Sequence, residues 1–141
     1  MEKTFAMIKP SCVKYAEEVE FEMTLIGLRI VSSAEVQLTT EQAKLFYAEH
    51  QGKPFFQGLV DMLSTNTVKV YELEGISAVW KWRDLIGPTI PNLGERDQLR
   101  RRFANAEAYI NGNPDNGFHG SASTEDAERE LSLMKKWGYL E

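Results

Sequence analysis

The chain is poor in the residues that would place it in several large classes of protein. It has a single cysteine, Cys12, so no internal disulfide can form, and this usage suits a reducing, cytoplasmic setting. No apolar run approaches the ~20 residues of a membrane span. The opening Met1-Glu2-Lys3-Thr4 has no apolar stretch of the secretory type, so neither membrane insertion nor export is expected. Basic residues are outnumbered, 16 against 21 acidic, for a net charge of −5. General attraction to nucleic acid or anionic lipid is thereby excluded. There is no G-x-x-x-x-G-K-[ST] loop, no G-x-G-x-x-G after a strand and no Cys/His pairing at zinc spacing. If phosphate is handled, scattered side chains must handle it, against the global field.

What remains is an ordinary soluble composition, 43% hydrophobic and 26% charged over 141 residues. That length suits one domain, residues 1–141, able to bury about 68–70% of its unfolded surface. The apolar stretch Thr4-Phe5-Ala6-Met7-Ile8-Lys9, ended by Pro10, predicts a buried first strand. Apolar residues at helical spacing predict a helix over 17–26, with Gly27 as its cap. A strand is expected over 28–37, a helix over 39–50 and, after Gly52-Lys53-Pro54, another over 56–63. Alternation over 67–73 predicts a strand with Val68, Val70 and Glu72 on one face. Helix is expected over 76–86, loop over 89–94, helix over 95–108 and surface loop over 111–115. Ser123 and Asp126 predict a capping box opening a last helix over 124–137. This order suggests a βαββαβ plan, an antiparallel sheet covered on one face by helices.

One of only two histidines lies in Asn116-Gly117-Phe118-His119-Gly120-Ser121. The flanking turn residues place His119 on a short exposed run, where glycine lets a bulky phosphate approach the backbone. Glu130, in the second turn of the last helix, can return toward it. A carboxylate bonded to one ring nitrogen fixes the tautomer and leaves the other nitrogen as nucleophile. A loop histidine followed by an ordinary surface helix would show the same local pattern. Lys9 at a strand end could reach a phosphate as a compact charge or simply sit in solvent. Arg83 and the Arg100-Arg101-Arg102 run offer guanidinium forks for phosphate oxygens, or a solvated helix face. Tyr47 and His50 share a helix face, with His50 read as structural. Phe55-Phe56 could expose one ring for base stacking, and Trp80, Trp82 and Trp137 read as core or interface.

In combination these segments resemble the nucleoside diphosphate kinase family over nearly the whole chain. Thr4-Phe5-Ala6-Met7-Ile8-Lys9-Pro10 is similar to its opening strand. Phe46-Tyr47-Ala48-Glu49-His50 and Lys53-Pro54-Phe55-Phe56-Gln57-Gly58-Leu59-Val60 are similar to its nucleotide-binding hairpin. Arg83 to Thr89 fits R-x-x-x-G-x-T, Arg100 to Phe103 fits R-x-x-F, and the His119 segment fits N-x-x-H-G-S. The resemblance implies a ferredoxin-like α+β sandwich with a four-stranded antiparallel sheet covered by helices. It implies that Lys9, Tyr47, Arg83, Thr89 and Arg100 contact phosphates, that Phe55 and Leu59 sandwich the base, and that Lys9 and Asn116 contact the sugar. His119, oriented by Glu130, would carry the γ-phosphoryl group of ATP to a nucleoside diphosphate by a ping-pong route. Mg²⁺ would arrive on the nucleotide, with no metal ligands on the protein, and the chain would form a homo-hexamer or tetramer. The sequence departs from the family pattern at Ser11-Cys12, where Asp-Gly is usual, at Ala122, where Asp is usual, and by a longer segment between Arg100 and Asn116.

Overall fold

The computed structural model describes residues 1–88, 95, 97–103 and 115–141. Strand β1, Glu2–Ile8, buries every residue from Thr4 to Ile8. A strand apolar on both faces belongs in the middle of a sheet with helices on either side. It pairs antiparallel with β3, Val68–Gly75, from Glu2↔Gly75 to Ile8↔Lys69. On its other edge it pairs antiparallel with the three-residue β4, Phe118–Gly120. Strand β2, Arg29–Val36, closes the far side against β3 with an irregularity between Ile30 and Ser32. The order is β2-β3-β1-β4, and helical connections carry β1 over β3 to β2 and β3 over β1 to β4. This is the ferredoxin-like arrangement of the α+β class.

Helices cover both faces of the sheet, not one as the sequence plan suggested. Ala6 and Ile8 pack with Val19 and Met23 of α1, Ala16–Leu25, and with Ala78, Trp82 and Ile86 of α4, Ala78–Ile86. Phe5 and Met7, pointing the other way, pack with Phe46 of α2, Thr40–Phe46, and with Val60 and Leu63 of α3, Phe56–Thr65. Leu131 and Met134 of the C-terminal helix join that second layer. The mistake lies in counting helices without assigning them to faces. A continuous apolar run shows that both faces of a strand are buried, but not which later helix covers each. Val68, Val70 and Glu72 do share one face, where the buried Glu72 carboxylate meets Lys3 at 3.2 Å and Lys135 at 2.6 Å.

Other boundaries shift by local chemistry. The helix expected over 39–50 ends at Phe46 and resumes as a 3₁₀ turn, Ala48–His50. Thr39 and Gln42 cap its start reciprocally. After β1 comes an unforeseen 3₁₀ helix, Pro10–Tyr15, with proline at its first position, where the missing N–H costs nothing. Helix was expected from residue 95, but here α5 spans Leu99–Arg102 with Gln98 ahead of it. Residues 104–114 lie outside the described set. The last helix, α6, spans Thr124–Lys136; Ser123 accepts from the Asp126 amide, which is one half of the expected capping box.

Candidate active site

Sheet register assembles the site. His119 stands opposite Met7, and the Lys9 amide donates to the Gly117 carbonyl at 2.8 Å. Residues opposite one another in an antiparallel pair share a face, as do i and i+2 on one strand. Phe5, Met7, Lys9 and His119 therefore emerge on one side of the sheet. The His119 ring lies 5.8 Å from Phe5, 5.4 Å from Phe46 and 6.4 Å from Tyr47, centroid to centroid. Three aromatic neighbours leave the imidazole little freedom to turn.

Its backbone is held from the opposite side of the sheet. Trp82 Nε1 donates to the His119 carbonyl at 2.8 Å, and Arg83 Nη1 to that of Gly120 at 3.2 Å. Gly120 is glycine because a Cβ there would stand 2.7 Å from Trp82 Cδ1. Gly117 has φ +92°, and a Cβ would sit 2.9 Å from Cys12 Sγ. Both glycines flanking the nucleophile candidate are thus required by the fold as well as by access.

Glu130 reaches His119 as the spacing predicts, with Nε2 and Oε1 3.0 Å apart, and Ser121 Oγ donates to the same oxygen at 2.7 Å. Burial alone would raise the Glu130 carboxyl. The His119 charge and the His119 and Ser121 hydrogen bonds outweigh it and hold the group below the ordinary carboxylate range. Because Nε2 faces the carboxylate, Nδ1 is the nitrogen available for chemistry.

Lys9, Arg100 and Arg83 lie within electrostatic reach of one another. Lys9 is buried and its Nζ donates to Asn116 Oδ1 at 2.9 Å. Burial, then the charge of Arg100, pushes its pKa down to about 7, with Asp115 opposing. Arg100 is also buried; its Nη atoms donate to the Gly87 and Phe118 carbonyls at 2.7 and 2.8 Å. Burial and nearby Arg83 lower it to about 10, still cationic at neutral pH. Among the described residues, the Arg100 Nε and the Tyr47 hydroxyl are buried without a hydrogen-bond partner. Burial, then Glu130, raises the Tyr47 phenol, which keeps its proton. Stranded donors beside three cations are costly unless an anion completes them.

Of the other candidates, Phe55 is half exposed at the start of α3 and meets His50 edge to face, with ring centroids 5.3 Å apart. His50 also lies against Tyr47, consistent with a supporting role. Leu59 is buried beneath, in the cluster that includes Tyr47. Thr89 lies outside the described residues. Trp80 is 66% exposed, while Trp82 is core. An open cleft of about 640 Å³ lies beyond Arg83, lined by Trp80, Gln98 and Ala122 but not by His119.

Asp115 corrects the reading of residues 111–115 as surface loop throughout. Its carboxylate is buried and accepts from the Ser11 amide, the Ser11 hydroxyl and the Gly117 amide at 2.8, 2.7 and 3.0 Å. Ser121 was likewise missed as a donor to Glu130. Its place directly after His-Gly was the available signal, whereas Asp115 gave none, since Asn-Pro-Asp composition reads as a turn.

This constellation has close parallels. A family model described as nucleoside diphosphate kinase matches residues 2–136. The chain belongs to the nucleoside diphosphate kinase family. Similar solved structures include the Aquifex aeolicus nucleoside diphosphate kinase, 26% identical with 99% of each chain covered and a TM-score of 0.86. A nucleoside diphosphate kinase family protein from Babesia bovis is 30% identical, covering 100% of this chain and 93% of that one, with TM-score 0.86. The halophilic nucleoside diphosphate kinase from Halobacterium salinarum, solved in complex with CDP, is 29% identical over 99% and 91%, again with TM-score 0.86. Nucleoside diphosphate kinases are phosphotransferases, and this chain is an enzyme of that kind.

Proposed function

We propose that the enzyme moves the γ-phosphoryl group of a nucleoside triphosphate, typically ATP, to a nucleoside diphosphate through a phosphohistidine on His119. The observation that supports this reading is the Nε2–Glu130 bond, which leaves Nδ1 free of the carboxylate. In the first half-reaction the Nδ1 lone pair attacks the γ-phosphorus. The bond to the β,γ-bridging oxygen breaks, and its electron pair leaves with the diphosphate. In the second, a terminal oxygen of the acceptor diphosphate attacks the phosphohistidine and returns the electron pair to Nδ1. One site serving donor and acceptor in turn gives ping-pong kinetics.

The loose transition state of phosphoryl transfer spreads charge over the equatorial oxygens, so catalysis rests on alignment and preorganised positive charge. Lys9, Arg83, Arg100 and the Tyr47 hydroxyl supply this, with Thr89 as a further phosphate ligand by family resemblance. Glu130 orients His119 and stabilises the positive ring after attack. Phe55 and Leu59 take the base, and Lys9 with Asn116 the sugar. Asp115 and Glu130 are engaged with protein donors, so Mg²⁺ enters as part of the nucleotide substrate and keeps several waters. Assembly as a homo-hexamer or tetramer would cover Phe21 and Leu25, which α1 leaves exposed. No helix among the described residues is long and apolar enough to cross a membrane, and a cytoplasmic location fits the reading.

Intact mass after brief exposure to ATP and Mg²⁺ tests it. One phosphoryl group per chain should appear, acid-labile, and vanish on adding GDP. An acid-stable adduct, or labelling that survives His119→Ala, would overturn the mechanism.

A further inference from the structure

The 3₁₀ helix after Lys9 begins in a way that leaves a backbone donor to satisfy. Pro10 has no N–H, and Lys9, in the capping position, makes no side-chain cap bond. The Ser11 amide is therefore the first free donor of the turn. It goes to Asp115, 104 residues away. Where the family pattern carries aspartate after Lys-Pro, this chain has Ser11, and a carboxylate returns to the same turn from the opposite segment. The other oxygen of Asp115 takes the Ser11 hydroxyl and the Gly117 amide. Gly117 in turn accepts from the Lys9 amide. One carboxylate thus ties together Ser11, two residues after Lys9, and Gly117, the residue after Asn116, and the Lys9 and Asn116 side chains meet at 2.9 Å.

We propose that Asp115 is a positioning residue for nucleotide binding, fixing the Lys9 ammonium and the Asn116 amide in one geometry through the Ser11 and Gly117 backbone. It touches neither His119 nor Glu130, whose own bonds run through β4, Ser121 and α6. Its loss should therefore loosen the nucleotide's grip and alignment while sparing the intrinsic reactivity of the imidazole. This rests on the phosphohistidine reading above. That reading is tested on the unaltered chain by ATP labelling, so the two can fail separately.

The experiment compares the unaltered full-length chain with Asp115→Asn. The near-isosteric amide presents an N–H where a carboxylate oxygen accepted. Calorimetric ADP binding should weaken on the order of 10-fold, since a charge-assisted contact set is lost. The kcat/KM should fall by about 100-fold, the scale of a misplacement of roughly 1 Å, with KM raised. Labelling of His119 by phosphoramidate, a phosphoryl donor without a nucleoside that releases ammonia, should fall far less than kcat/KM, by no more than the share that Lys9 contributes at the phosphoryl oxygens. Unchanged ADP affinity and kcat/KM would overturn the proposal. So would a loss of phosphoramidate labelling equal to the loss of kcat/KM in a folded variant, because Asp115 would then act on the nucleophile's side. If Asp115→Asn does not fold, Ser11→Ala, which removes only the hydroxyl donor, should show a smaller fall in ADP affinity. Unchanged affinity there also overturns the proposal.

Discussion

Two buried carboxylates, Glu130 and Asp115, differ in what they meet. Glu130 projects from a packed thirteen-residue helix and meets the His119 imidazole, which would become charged in the proposed reaction. Asp115 enters from a loop and meets backbone amides and a hydroxyl. The first is placed to stabilise a change of charge, the second to hold a shape. An anion's work in an active site is set by its donors, and by whether they change between ground and transition state.

The sharpest way to break this contrast is to remove the group that only Glu130 serves. His119→Ala should abolish acid-labile phosphate, as read by intact mass, while ADP still binds. Loss of binding along with labelling would mean that the two sides are not separable.

Glu130→Gln should lower kcat by roughly 10- to 150-fold, the equivalent of a charge-assisted hydrogen bond of about 1.5–3 kcal/mol. ADP affinity should stay within about twofold, because the lost interaction strengthens only once the ring is charged. Stopped-flow phosphorylation and calorimetry separate the two. An unchanged kcat would reduce Glu130 to a packing group of α6.

The Lys9 side should reveal itself through pH. Its pKa in the free protein is lowered to about 7, by burial and Arg100 against the opposing pull of Asp115. Phosphate oxygens favour the ammonium, so the bound pKa is higher. Below about pH 7 Lys9 is already charged and binding takes up no proton there. Above it, binding must protonate Lys9, and ADP affinity should fall by up to about tenfold per pH unit. The second ionisation of phosphate, near pH 6, lies below this window. Proton uptake, read calorimetrically in buffers of different ionisation enthalpy, should disappear in Lys9→Gln. A flat profile in the unaltered chain would show that Lys9 keeps its charge despite burial.

The smallest effect is expected from the segment before Asp115. Deleting residues 111–114 while keeping Asp115 should leave ATP labelling of His119 intact. The purine-to-pyrimidine ratio of kcat/KM, or the oligomer mass in light scattering, should shift instead. If both stay fixed, these residues are only a tolerated insertion; if labelling is lost in a folded protein, the shell supporting His119 extends to residues before Asp115.

The strands, the βαββαβ order and the His119–Glu130 pair were legible in the sequence because they depend on local rules. A continuous apolar run buries both faces of β1, Ser123 starts α6, and eleven residues separate Glu130 from the His119 it meets. The near-neutral pKa of Lys9, the stranded Tyr47 hydroxyl and Arg100 Nε, and the work of Asp115 were not legible. Desolvation and a hydrogen bond spanning 104 residues depend on which segments the sheet register sets side by side. Local composition carries no term for that, which is why Asp115 read as a turn residue. The sequence by itself determined the elements and the chemistry they could carry. Tertiary structure decided which donors were left without water, because only packing removes it.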